Sequence, residues 1–372
     1  MKGFMRGLKS LLLTTVVFFV LLEAGCFIAI KAGWFPVELP GYTLSGSGWF
    51  WRTLSPDFGV WHEANDYMIH ERQCFNATYR SNSFGMRDAE VAKEADGHRV
   101  VVLGDSFVEG WGVEYGQRFT ELIERDKKVE LLNFGTAGGF GSTQSFVLYK
   151  TLASRFSHTA VIFAVLPDND FKEDEPPRGE VDSSGRWRPM LVGTYPNYRL
   201  TYPSRIFTPT VRVDQRIEYF MEQFWITYRV VKYYHNYFKS MYKAYNNPQR
   251  PKGNAYAGYY DYSQEQFDRL RYSIEQIKAL AGPRPMLVVT IPRQSDFQRA
   301  EGSLGEPPLR RDLAKLAADL GITYFDLMIG MDETDNRDGY FHTCDGHWSP
   351  KGHARVAEII GEWNYFERLE DW

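Results

Sequence analysis

Short apolar runs at residues 100–103, 129–134 and 160–165 alternate with helix-like stretches at 117–125 and 143–154. Unbroken apolar strands separated by helices predict a parallel sheet buried on both faces. After residue 170 the alternation stops. The next stretch holds Pro176, Pro177, Pro189, Pro203 and Pro209, then an aromatic segment at 211–240 and the polar turn Asn246-Asn247-Pro248, a composition that marks 171–262 as an insertion. Its aromatic residues, Phe220, Phe224, Trp225, Tyr228 and Tyr234 among them, read as a packing face, with sugar or membrane contact as the other uses. From residue 263 the alternation resumes. Phe267, Leu270, Ile274, Ile277 and Leu280 at helical spacing predict a helix over 263–281. A strand at 286–291, a helix at 307–320, a strand at 322–327 and a closing helix from 350 to about 363 follow. Five strands with helices between them predict a doubly wound three-layer α/β sandwich with a five-stranded parallel sheet, interrupted once after the third strand.

The amino-terminal pattern is of another kind. Residues 11–30 form one apolar run whose only charged member is Glu23, and Lys2, Arg6 and Lys9 precede it. About twenty such residues span a bilayer as a helix, and flanking positive charge keeps the amino end in the cytoplasm. Three readings export the remainder of the chain: an uncleaved anchor, a cleaved signal peptide with its apolar region at 11–22, or a lipoprotein signal ending Ala24-Gly25-Cys26. The anchor is the expectation adopted, with the domain on the periplasmic or extracellular side of a bacterial inner membrane. The chain then divides into an anchor or signal at 1–32, a lead-in at 33–97 that packs on the main domain, the main domain at 98–170 and 263–372, and the insertion.

Net charge is -4 over 372 residues with acids and bases interspersed, so no basic surface suggests nucleic acid as a partner. Aromatic residues make up 16% of the chain, which suits a carbohydrate-facing or membrane-adjacent surface. Outside the apolar run the cysteines are Cys74 and Cys344. An oxidising compartment permits a disulfide between them, and two separate buried thiols are the other arrangement.

Candidate chemistry sits at the strand ends. The first strand runs into Gly104-Asp105-Ser106, which places a serine on a strand-to-loop corner at the carboxyl edge of the sheet. Such a hydroxyl is inert until a base takes its proton. Near the other end of the chain, Asp345 and His347 supply an acid and a base two residues apart, just before the closing helix. The second strand ends in Asn133-Phe134-Gly135-Thr136-Ala137-Gly138 and the third in Pro167-Asp168-Asn169-Asp170. No cluster has zinc-ligand spacing and no glycine-rich phosphate loop is present, so no cofactor is expected.

Four blocks in this order resemble the SGNH hydrolase superfamily, also called the GDSL family, over most of residues 98–362 apart from the insertion. The resemblance implies a flavodoxin-like sheet and a serine hydrolase. Ser106 would be the nucleophile, His347 the base and Asp345 the acid that orients it. The backbone N–H groups of Ser106 and Gly135 and the side-chain amide of Asn169 would meet the oxyanion. Asp105 and Asp170 would support their turns, and His353 and His342 read as a packing and a solvent-facing histidine. The family commonly places its acid three residues before the histidine, where this chain has Cys344. Two arrangements therefore stay open, with either Asp345 or a backbone carbonyl orienting His347. The implied activity is hydrolysis of O-acyl, foremost O-acetyl, esters of a small molecule or of envelope or exported polysaccharide, in company with the machinery that handles it. Transfer of the acyl group to a glycan hydroxyl, and a non-catalytic role in glycan binding or assembly, are the alternatives.

Overall fold

Val100, Val101, Val102 and Leu103, all buried, form the centre of strand β1 (Arg99–Gly104) in a computed structural model of the chain. The other apolar runs become β2 (Glu130–Gly135), β3 (Ala160–Val165), β4 (Met286–Thr290) and β5 (Thr323–Asp326). Every neighbouring pair is parallel, in the order β2-β1-β3-β4-β5. The expected fold class is the one observed. The structure describes residues 2–35, 37, 44–45, 50–51, 53–72, 74–176, 188–202, 217, 220–221, 224–246, 256–303, 305–332 and 339–368.

Helices cover both faces of the sheet. On one, α3 (Phe119–Lys127) packs against α11 (Pro350–Gly361); on the other, α4 (Ser142–Thr151) packs against α7 (Gln264–Ala281). Two short helices open directly from strand ends, α2 (Ser106–Glu109) after β1 and α5 (Pro167–Glu173) after β3. Around the last two strands lie α8 (Gln294–Glu301), α9 (Pro308–Leu320) and α10 (Leu327–Asp332), and α12 (Asn364–Glu367) closes the chain. Ser263 caps α7, its hydroxyl accepting the Gln266 N–H. Phe267, Leu270, Ile274 and Ile277 face the core as their spacing predicts. Leu280 does not: it is exposed, and Ala281, four residues after Ile277, takes the buried position.

The chain divides into two compact units: residues 1–42, 71–73 and 210–253, and residues 43–70, 74–209 and 254–372. The second holds the sheet. It includes most of the lead-in, whose Phe58, Trp61 and Met86 belong to the same apolar core as the strands. It also includes an antiparallel pair from the insertion, Met190–Val192 with Arg199–Thr201. In the first unit, α1 (Lys2–Lys31) is long and apolar enough to cross a membrane, and α6 (Ile226–Asn246) packs beside it. Glu23 is engaged there: its carboxylate accepts the N–H groups of Ile226 at 2.8 Å and Thr227 at 3.1 Å, the orphan donors at the start of α6. Phe220, Phe224 and Trp225, expected to pack, are instead largely exposed. Pro177, Pro203, Pro209, Asn247 and Pro248 lie outside the described residues.

Candidate active site

Ser106 is the first residue of α2, and the backbone before it explains why. A Cβ on Gly104 would run into the Val108 side chain and meet the Ala164 carbonyl oxygen at 3.1 Å, so glycine lets α2 turn back over the sheet. Asp105 caps the helix, its carboxylate accepting the Phe107 N–H at 2.9 Å. Burial raises the Asp105 carboxyl above the usual carboxylate range, against that N–H and the nearby His347. Ser106 itself is 9% exposed. It sits beside the point where the strand order reverses between β1 and β3, the crevice where open α/β sheets place ligands.

His347 reaches this corner from a tight loop. His342 N–H donates to the His347 carbonyl at 2.9 Å and Ser349 N–H to the Tyr340 carbonyl at 2.8 Å. The Cys74–Cys344 disulfide, Cα atoms 5.7 Å apart, ties the loop to the lead-in. Ser349 then caps α11 by accepting the Gly352 N–H. The outcome is a linked triad: Ser106 Oγ lies 2.7 Å from His347 Nε2, and His347 Nδ1 hydrogen-bonds Asp345 Oδ1. Of the two orienters left open by the sequence, the observed one is Asp345. Its Oδ2 accepts the Trp111 indole N–H at 3.0 Å and its Oδ1 the His347 backbone N–H at 3.1 Å. Burial would raise the Asp345 carboxyl, but the His347 bond and charge outweigh it and hold it well below the usual range.

The oxyanion residues fare differently from one another. Among the described residues, Ser106 N–H has no acceptor. Asn169, on α5 after β3, places its amide nitrogen 3.5 Å from Asp105 Oδ2, and its buried Oδ1 is without a partner. Gly135 does not fill the expected role. Its N–H donates to Asn133 Oδ1 at 2.9 Å, and a Cβ there would run into the backbone nitrogen of Glu109. Glycine at 135 therefore serves the packing of α2 on the end of β2. In the loop that follows, the N–H groups of Gly138, Gly139 and Phe140 have no acceptor among the described residues; Gly138, three residues on, is exposed and at φ 105°.

Asp170 supports the turn that carries Asn169, accepting the Leu166 N–H at 2.9 Å, and burial followed by the charges of Asp105 and Asp174 raises its carboxyl well above the usual range. His353 is a packing histidine, buried against Phe119 and Trp348, with Nδ1 accepting the Phe119 N–H. His342 is not solvent-facing as expected. It packs on Phe75 and leaves a buried Nε2 without a partner, and burial lowers its pKa.

Several residues around the triad carry no signal in the hydrophobic pattern. The His347 ring lies between Phe107, at 4.6 Å, and Trp111, at 5.1 Å and nearly parallel. Trp51 stacks on the outer side of Trp111 at 5.0 Å and donates its indole N–H to Glu109. Glu109 is fully buried and also accepts the Ala137 N–H at 2.6 Å, so one carboxylate joins α2, the lead-in and the loop before Gly138. Burial acts to raise Glu109, yet His62, Arg87 and Trp51 together pull it below its usual range. Arg87 completes the corner by donating to the carbonyls of Glu109, Gly110 and Val113. The available signal was Glu109 itself, a lone charge in Phe107-Val108-Glu109-Gly110-Trp111.

A recess of about 280 Å³ borders the loop that carries His347, lined by Asp168, Tyr256, Arg293, Gln294, Ser295 and Gly346. Among the described residues no group of three or more His, Cys, Asp or Glu is placed to hold a metal ion.

Neither a family model nor a curated protein matches this sequence. Solved structures similar to it include a lipase/acylhydrolase from Enterococcus faecalis, 12% identical over 73% of this chain and 97% of that one, at a TM-score of 0.39. A member of the lipolytic G-D-S-L family from Veillonella parvula is 11% identical over 72% and 99%, at 0.39. A carbohydrate esterase family 2 enzyme with a carbohydrate-binding domain from Corynascus thermopiles is 10% identical over 76% and 69%, also at 0.39. Likeness at that level carries no weight for function, which has to be read from the geometry around Ser106. The chain is a doubly wound α/β protein, and the solved structures that it is similar to include a lipase/acylhydrolase, a member of the lipolytic G-D-S-L family and a carbohydrate esterase.

Proposed function

We propose that this chain is a membrane-anchored serine esterase of the SGNH type that acts on O-acetyl esters of envelope or exported glycans. The observation that carries the esterase reading is the continuous hydrogen-bonded line from Ser106 through His347 to Asp345. In the first half-reaction Ser106 Oγ attacks the ester carbonyl carbon while His347 Nε2 takes its proton. Asp345 fixes the tautomer by accepting the Nδ1 hydrogen and stabilises the imidazolium that forms. The oxyanion of the tetrahedral intermediate is met by the N–H groups of Ser106 and Gly138 and the amide of Asn169. Each such donor is worth a few kcal/mol (about 2.7–4 in measured cases) in the transition state. His347 then protonates the departing alcohol. In the second half, His347 deprotonates a water that attacks the acyl-serine, and Ser106 leaves with the proton. The recess that borders Gly346 is lined by Asp168, Tyr256, Arg293, Gln294 and Ser295, polar side chains that suit a sugar alcohol better than a long acyl chain.

The anchor reading is supported by α1, by the flanking Lys2, Arg6 and Lys9, and by a disulfide that an oxidising compartment maintains. The test uses the full-length protein in detergent with a fluorophosphonate probe and 4-nitrophenyl acetate. Labelling of the parent is expected, with loss in Ser106→Ala and His347→Ala and a fall in kcat of roughly 10³-fold or more. An unlabelled parent protein, or hydrolysis untouched by both substitutions, would remove the esterase reading. Adding acceptor oligosaccharide and analysing the products separates hydrolysis from acyl transfer.

A further inference from the structure

We propose that Arg293 selects an anionic substrate: the alcohol that His347 protonates is a sugar bearing a carboxylate, which Arg293 grips. This rests on the esterase reading of the site and names its substrate class.

Arg293 is half-buried at the start of α8, and its own backbone N–H is satisfied by Asp296 at 2.8 Å. Its guanidinium has no carboxylate or carbonyl partner among the described residues. It lies instead over the face of Phe107, 5.7 Å away. The buried or half-buried arginines elsewhere in this unit behave otherwise: Arg87, Arg99, Arg118, Arg284 and Arg310 all donate to carbonyls or carboxylates. A guanidinium is rarely left without an acceptor, and its planar fork fits a carboxylate with two parallel bonds. The acids nearby are committed elsewhere. Asp296 accepts backbone N–H groups from Arg293 and Tyr259, and Asp105 caps α2.

Position connects this charge to the reaction. A Cβ on Gly346 would stand 2.5 Å from Arg293 Nη2, so the absence of a side chain between Asp345 and His347 is what lets the guanidinium lie along the catalytic loop. The recess it lines therefore reaches Gly346, the residue next to the base that hands a proton to the leaving alcohol. Its other groups suit a sugar ring. The Tyr256 hydroxyl is buried without a partner, and Ser295, Gln294 and Asp168 offer donors and acceptors for hydroxyls. Asp168 makes no hydrogen bond or ion pair with Arg293 and has a cation of its own in Lys172, 4.0 Å away. At about 280 Å³ the space is at the low end for small-molecule sites, enough for one monosaccharide.

The experiment compares acetylated methyl galacturonoside with acetylated methyl galactoside, which differ in the carboxylate, on the full-length parent and on Arg293→Met and Arg293→Lys. The parent is expected to prefer the acid in kcat/KM by roughly tenfold or more, the worth of a charge-assisted bidentate contact. Arg293→Met should abolish that preference, and Arg293→Lys should keep part of it. Equal use of both esters by the parent, or an acid preference that survives Arg293→Met, overturns the inference. Calorimetric titration of Ser106→Ala with galacturonate and galactose reads the same site without turnover. Should no ester be cleaved, tighter binding of the acid that depends on Arg293 upholds the inference while the esterase reading fails, and equal or absent binding of both sugars overturns it.

Discussion

At Asp345 a two-residue spacing brings a carboxylate to His347, where the SGNH family that the sequence resembles commonly uses three. The residue three before His347 is Cys344, bonded to Cys74, so the loop is tied at the place where an acid would stand, and the next side chain swings back to the imidazole. Asp345→Ala removes the acceptor of the Nδ1 hydrogen and frees the Trp111 indole as well. We expect kcat to fall by roughly 10²- to 10⁴-fold with KM little changed, read by steady-state hydrolysis of the aryl acetate. A near-parent rate would make the site a dyad. Ser106, Asp345 and His347 were legible as a candidate triad because each stands in a polar block at a strand end or just before a helix. Gly135 was misassigned for a local reason: strand β2 runs one residue past its apolar run, so Gly135 pairs with Gly104 inside the sheet and the loop begins only after it. Trp51, Trp111 and Arg293 were illegible because stacking and unsatisfied donors are relations between distant segments, which periodicity does not record.

Among the elements, the short helix α2 depends on glycine beneath it. Gly135→Ala would drive a methyl into the Glu109 backbone and tilt the nucleophile turn. The expected cost is about 1–3 kcal/mol, seen as a lower thermal midpoint, together with a fall in kcat. An oxyanion role for this residue would instead predict a kinetic defect with the midpoint unchanged. Helix α11 carries a pH dependence. Burial, aided by the charges of Arg118 and Arg87, holds the His353 pKa well below its ordinary value of 6.5. The unfolded chain therefore takes up a proton near pH 6.5 that the folded one refuses. Its contribution to stability is complete above that pH and declines below it, by up to about 1.4 kcal/mol per pH unit. His353→Gln, which keeps an acceptor for the Phe119 N–H, should lose less thermal stability than the parent between pH 7 and pH 5. An identical loss in the two proteins would refute this assignment. Helix and strand identities were readable from period and run length; the packing of Phe58, Trp61 and Met86 into the main core was not, since the lead-in has no period of its own.

For the whole molecule, the anchor reading predicts that the chain stays in the membrane pellet after alkaline carbonate extraction; release into the supernatant would count against it. Glu23, a defect in the apolar run when read as sequence, has an occupation in the fold, capping α6. A carboxylate that accepts two backbone N–H groups is far less costly away from water than a bare one. The disulfide has a consequence in time. Its two cysteines stand 270 residues apart. On the proposed export route, amino end first, Cys74 would emerge well before Cys344, so the bond would close only after the segment between them had crossed. Asp345, one residue further on, is set in place with it. On that proposal the Ser106 site would stay unassembled throughout its own delivery and be switched on by arrival.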